Sequence, residues 1–205
     1  MKETIPHIHF KYSPIYNTII GKKEYKSQKV SKYIHAIQTK RSPIETSILS
    51  AMNTITELKR HEPKIICYIA HTTPFSDPLT IPMYPDIDMA IDTLTHECIH
   101  QLFTQWNNIK KSQNARKYFF DIYKDKDRKT IIHIPLHAIH AYIYTHILKQ
   151  PEKIDKEYER IQKHYNPKYK QAYLDSRDIV RKEWYQHIID IFHSKDKRIP
   201  PKTDT

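Results

Sequence analysis

The residues best suited to chemistry in this chain lie at helical spacing in one short segment. Positions 95–100 read Thr95-His96-Glu97-Cys98-Ile99-His100. In an α-helix, side chains four residues apart lie about 40° apart around the axis and one turn apart along it. His96 and His100 therefore project from one face, where two imidazoles can bind a single tetrahedral zinc ion. Glu97 is rotated by one residue, so its carboxylate can reach a water on that ion without ligating the metal. Zinc brings the pKa of such a water toward neutrality and polarises a nearby carbonyl, and the carboxylate takes the proton. Zn2+ is thus the cofactor the pattern calls for, and Glu97 the general base. The plainer alternative is a surface helix with Glu97 in an ion pair. Against it, Ile87, Met89, Ile91, Leu94, Cys98, Ile99, Leu102 and Phe103 make the segment apolar over much of its circumference, which predicts burial. Buried imidazoles and a buried carboxylate need partners, and a metal supplies them.

A catalytic zinc site takes three protein ligands. Downstream, His133, His137 and His140 are spaced by four and three, and Tyr144 extends the stripe. Leu136, Ile139, Ile143 and Ile147 form the apolar back of the same segment. His137 is the chosen third ligand: it falls in the first turns after Pro135, with the small Ala138 beside it. His133 precedes the proline and is placed outside the helix. His133, His140 and Tyr144 are candidates for contact with substrate or with the oxyanion of a tetrahedral intermediate. Tyr142 and Tyr144 are the weaker ones, and His140 and His146 are each as well explained as an ordinary surface or core residue. His133, His140, Asp121, Glu152, Glu157 and Glu159 are the alternative third ligands.

The His96-Glu97-x-x-His100 pattern resembles the signature of the zincin metallopeptidases. The flanks agree as well: Thr93, Leu94 and Thr95 precede the motif, and Cys98, Ile99, Gln101 and Leu102 surround it, all uncharged. The order of elements resembles the thermolysin-like, gluzincin-related branch, in which the third ligand comes from a later helix. There it is a glutamate, whereas this chain offers histidines. The resemblance spans roughly 64–148 and rests on the order of elements. It implies hydrolysis of a peptide or protein substrate. It also implies a strand before the motif helix along which an extended peptide can pair.

Several elements must position these residues. Alternation at 8–12 predicts a short strand, and 28–38 a modest helix. Ser42-Pro43 sets a second helix start, running to about Arg60. Positions 64–70 read as a buried strand and 71–78 as a loop. Positions 79–84, interrupted by Pro82, read as an edge strand. Asp86 and Asp88 cap the motif helix, expected over 89–106 and ended by Asn107-Asn108. Helices are then expected over 112–123, 134–149, 151–165 and 168–194. The fold class is α+β and mostly helical: a small sheet with an edge strand packed on the motif helix, and further helices. The expectation is one domain over 1–205, with an active-site core at about 64–148, C-terminal helices at about 151–194 and a flexible basic tail at 195–205.

Composition narrows the function. The chain has 205 residues and one glycine, Gly21. Phosphate-binding loops and dinucleotide-binding turns require glycines for close backbone approach, so neither can be written here. The two cysteines, Cys67 and Cys98, form neither a disulfide framework nor a Cys-x-x-Cys site, which points to a reducing compartment. Cys98 lies inside a helix and reads as a small core residue rather than a nucleophile. No secretory signal or bilayer-length apolar run is visible, so a cytoplasmic protein without a transmembrane segment is expected. The net charge of +11 leaves nucleic acid as a partner that is not favoured, because no RNA-binding or zinc-finger signature accompanies it. Two alternatives stand beside the peptidase. One is a metal-binding or metallohydrolase domain that does not cleave peptides. The other is a basic helical nucleic-acid-binding protein with a chance motif. Oligomeric state is not legible.

Overall fold

The computed structural model describes residues 5–19, 25–60, 62–104, 109–164 and 166–193. The chain falls into two compact units: Met1–Ser50 with Lys59–Gln105, and Ala51–Leu58 with Trp106–Thr205. As expected, the fold is α+β and mostly helical, with one small sheet. Among the described residues, no helix is long and apolar enough to cross a membrane.

The first unit holds the sheet, in the order β1-β2-β4-β3. Strands β1 (His7–Tyr12) and β2 (Lys64–Ile69) are parallel, with Ile8 opposite Ile65 and Phe10 opposite Cys67. Parallel neighbours need a crossover. The segment between them includes α1 (Pro14–Ile19) and the long helix α2 (Ser27–Thr56). Ile65, Cys67 and Ile69 are buried while Ile66 and Tyr68 are half-buried, the period of two that strand geometry dictates.

Two sequence expectations are corrected in this unit. First, α2 is continuous through Pro43 instead of restarting there. An interior proline costs about 3 kcal/mol, largely through the lost donor and the ring clash. Val30, Tyr33, Ile37, Arg41, Glu45 and Ile48 form one buried stripe across it. A fully buried aliphatic side chain is worth about 1.5–3 kcal/mol, so two or three of them outweigh the proline. The Arg41–Glu45 ion pair also spans Pro43. The Glu45 carboxylate accepts from Ile8 N at 3.1 Å and so ties α2 to β1.

Second, the 79–84 segment is not an edge. It forms β4 (Leu79–Ile81), parallel to β2, and its other side is covered by the antiparallel β3 (Phe75–Ser76). The two-residue β3 lies in the stretch expected to be loop. Too short to show a period, it takes its place by turning back at Asp77-Pro78. The sheet edge on this side is therefore β3, and both β3 and β4 pack on the motif helix α3 (Ile87–Thr104). The expected ends of that helix at Trp106 and Asn107-Asn108 lie outside the described residues.

The second unit is helical: α4 (Ile109–Ile122), α5 (Arg128–Tyr142), a π-helical turn (Ile143–Ile147), α6 (Glu152–His164), α7 (Pro167–Lys182) and α8 (Tyr185–His193). Helix α5 is the core element, packed against α4, α7 and α8. Residues 133–141 on it are all buried, so the histidine face is as dry as the apolar back. It begins six residues before the expected start, so His133 is inside it rather than ahead of it. Asp127 is the reason. Its carboxylate accepts from Lys129 N at 3.0 Å and Thr130 N at 3.3 Å, satisfying two of the donors a helix start leaves open. Replacing Asp127 with alanine is expected to cost about 1 kcal/mol in urea unfolding. A variant as stable as the wild type would show that the cap does not set this start.

The helix expected over 168–194 is two helices. Trp184 adopts φ 60, which turns the chain between α7 and α8. Ile188 and Ile189 are buried beyond that turn, and their burial is what a straight continuation would have to reproduce. The tail at 195–205 lies outside the described residues.

Candidate metal centre

In the first unit the motif sits where sequence placed it. The Asp86 carboxylate accepts from Asp88 N at 2.9 Å and sets the start of α3. Leu94, Cys98, Ile99 and Leu102 are fully buried and fix the helix rotation. Thr95 Oγ1 donates to Ile91 O at 2.8 Å, so its hydroxyl is satisfied inside the helix. Arg60, itself buried, donates to the Cys98 carbonyl and, at 2.9 Å, to Gln101 Oε1. It anchors α3 at both residues.

His96 is buried and His100 half-buried. Their rings are 5.0 Å apart and steeply inclined, at 72°. Each offers a ring nitrogen within 4.8 Å of the other's. Two nitrogens on one tetrahedral zinc stand ~3.3 Å apart, given Zn–N bonds of about 2.0–2.1 Å. A separation within that 4.8 Å limit is compatible with one zinc ion shared by the pair. Glu97, between them in sequence, is half-buried, and burial pushes its carboxyl up to about 7. A carboxylate with a pKa near neutrality is suited to taking and returning a proton. Burial also pushes the Cys98 thiol up, the direction opposite to that of a nucleophile. Cys67 and Cys98 are both free and buried.

The second unit holds the other site residues that sequence put forward, in two groups. His133 and His137 lie 5.6 Å apart on α5, beside the Tyr173 ring at 4.3 and 5.7 Å. His133 Nδ1 bonds Lys129 O at 2.7 Å, and His137 Nδ1 bonds Ser176 Oγ at 2.8 Å. Burial lowers the His133 pKa to about 4, so the ring is neutral at physiological pH. Neutral imidazole is the form that binds metal.

His140 stacks on Tyr144 at 4.5 Å, and both are buried. His140 Nδ1 is 3.6 Å from Glu157 Oε2, an electrostatic contact longer than a hydrogen bond. Glu157 on α6 also pairs with Arg177 on α7 and lies 3.6 Å from Arg160. Burial pushes the Glu157 carboxyl up, but Arg177, His140 and Arg160 together outweigh it and hold it below the usual carboxylate range. Of the four alternative carboxylates, Glu157 is buried, while Asp121, Glu152 and Glu159 are exposed. Tyr142 is half-buried and lies 4.6 Å from the exposed His146, whose Nε2 meets Tyr185 OH at 2.7 Å.

Sequence reasoning missed Tyr173, Ser176 and Arg177. A signal was present: Ala172, Ser176 and Val180 recur every four residues along the buried stripe of α7, and a hydroxyl in such a stripe marks a buried polar partner. No protein-family model matches the chain, and neither a curated protein nor a solved structure matches it.

Proposed function

We propose that this protein is a zinc-dependent metallopeptidase in which His96 and His100 hold the metal and Glu97 is the general base. The observation that carries the proposal is the approach of the two imidazole nitrogens to within 4.8 Å on a largely buried helix, with a carboxyl of pKa about 7 between them in sequence. Two imidazoles are a donor set suited to zinc. When bound, zinc supplies the Lewis acidity that polarises the scissile carbonyl and makes water a competent nucleophile at neutral pH. Glu97 takes a proton from the attacking water on one carboxylate oxygen and returns it to the leaving amine nitrogen, so the carboxylate is regenerated in each turnover. The apolar flanks Leu94, Cys98, Ile99 and Leu102 hold the helix backbone, and with it both imidazoles, in fixed register. The third ligand is assigned on sequence grounds to the histidines of the later helix, His137 first. The peptide substrate and the cytoplasmic location are likewise proposals from sequence.

Metal analysis of the purified protein tests this. The expected result is about one zinc per chain in the wild type and none in His96→Ala or His100→Ala. Zinc retained by the His96→Ala/His100→Ala double variant would end the proposal. Loss of zinc in His137→Ala supports His137 as the third ligand, whereas loss in Glu157→Gln with retention in His137→Ala transfers that role to Glu157.

A further inference from the structure

Ser176 decides which nitrogen of His137 carries the proton. Its Oγ lies 2.8 Å from His137 Nδ1 and 2.9 Å from the Tyr173 carbonyl oxygen. A carbonyl oxygen can only accept, and a serine hydroxyl has one proton. The assignment that satisfies both contacts has Ser176 donating to Tyr173 O and accepting from His137 Nδ1–H. In the neutral ring the lone pair then sits on Nε2. His133 reaches the same state by another route. Its Nδ1 is 2.7 Å from Lys129 O, again a group that can only accept, so its proton is also on Nδ1. Two histidines one turn apart on α5 are thereby set in the same tautomer, by a backbone carbonyl of their own helix and by a side chain of α7. Ser176 is itself fully buried, so water does not compete for the contact.

We infer that Ser176 is a positioning residue that presets His137 as an Nε2 donor, with the Lys129 carbonyl doing the same for His133. The assignment of Nε2 as the metal-facing atom rests on the zinc reading above, but the tautomers themselves do not. A ligand imidazole must present a lone pair, and the group bonded to its other nitrogen fixes both tautomer and ring orientation. Loss of such a partner typically weakens metal binding about 10–100-fold.

Long-range proton–nitrogen NMR of the metal-free wild type at pH 8 reads the tautomers directly. The expected result is Nδ1–H for both His133 and His137. In Ser176→Ala the Nε2–H form of His137 becomes populated while His133 is unchanged. Zinc affinity, from competition with a chromophoric chelator, is expected to fall about 10–100-fold in Ser176→Ala and to recover in Ser176→Thr, which keeps the hydroxyl. An Nε2–H tautomer for His137 in the wild type would overturn the inference whether or not zinc binds. Undiminished zinc affinity in Ser176→Ala would overturn the positioning role. Tautomers as expected in a protein that takes up no zinc would leave Ser176 as the group that sets His137 and would remove the metallopeptidase reading instead.

Discussion

Replacing Glu97 with glutamine is expected to lower peptide cleavage by about 10²–10⁴-fold while zinc content stays at the wild-type level, because the side chain moves a proton and is not a ligand. The same substitution should make the metal-free protein more stable at high pH. The unfolded chain releases this proton near 4.5 and the folded chain near 7. Between those values the folded state holds a proton that the unfolded state lacks, so stability falls as the pH rises. By pH 8 the loss is complete, about 3 kcal/mol at ~1.36 kcal/mol per unit. Glutamine does not titrate and escapes it. Denaturant unfolding of chelator-treated protein should therefore show Glu97→Gln ahead by about 3 kcal/mol at pH 8 and nearly level at pH 4. Equal stabilities at both pH values would mean that the carboxylate is well hydrated and is not tuned for proton transfer.

The second large effect lies at Glu157. Its carboxylate and the Arg177 guanidinium are each about 5% exposed or less. Two charges so far from water owe their tolerability to each other, and removing one strands the other at a cost of about 3–5 kcal/mol. Glu157→Gln and Arg177→Met are each expected to lose about that much in urea unfolding. The double variant should lose much less than the sum, because it strands neither charge. Additive losses would show that the pair is not coupled. The carboxyl is held below its ordinary range, so its contribution is present above the unfolded value of about 4.5 and is lost as pH falls through the folded one. Acid should thus unfold the wild type more readily than the double variant.

What the sequence made legible follows from how local each signal is. The motif helix was readable because its cap, Asp86, and its apolar positions lie within a few residues of one another. β1 is readable from alternation, and β2 from a short β-branched and aromatic run. The two prolines misled for the same reason in opposite units: Pro43 and Pro135 each look like a first helical position, yet each lies inside a helix whose burial outweighs the missing donor. β3 is too short to have a period, so its stretch reads as loop. The α7–α8 turn has no local signal, since a tryptophan is a poor marker of left-handed backbone. At the site, types and spacing revealed His96, Glu97 and His100, and they nominated His133, His137 and His140. They did not reveal that Ser176 and Glu157 address the Nδ1 atoms of His137 and His140, because those contacts depend on how α5, α6 and α7 pack; the Lys129 O contact to His133 lies within α5 and was hidden by placing His133 ahead of the helix.

Glu57, Lys149 and Trp184 stand at φ 52, 56 and 60 respectively, each just after a helical segment where glycine is the common choice. A side chain in that backbone region costs roughly 1 kcal/mol in the native state. A glycine there would instead enlarge the ensemble of denatured conformations, at about 0.4–1 kcal/mol per site. The second offsets part of the first, because a side chain held at positive φ costs more than the stiffer denatured chain returns. A chain almost devoid of glycine therefore builds its sharp corners at a reduced thermodynamic penalty, and its unfolded form is stiffer at those joints than one made with the usual residue.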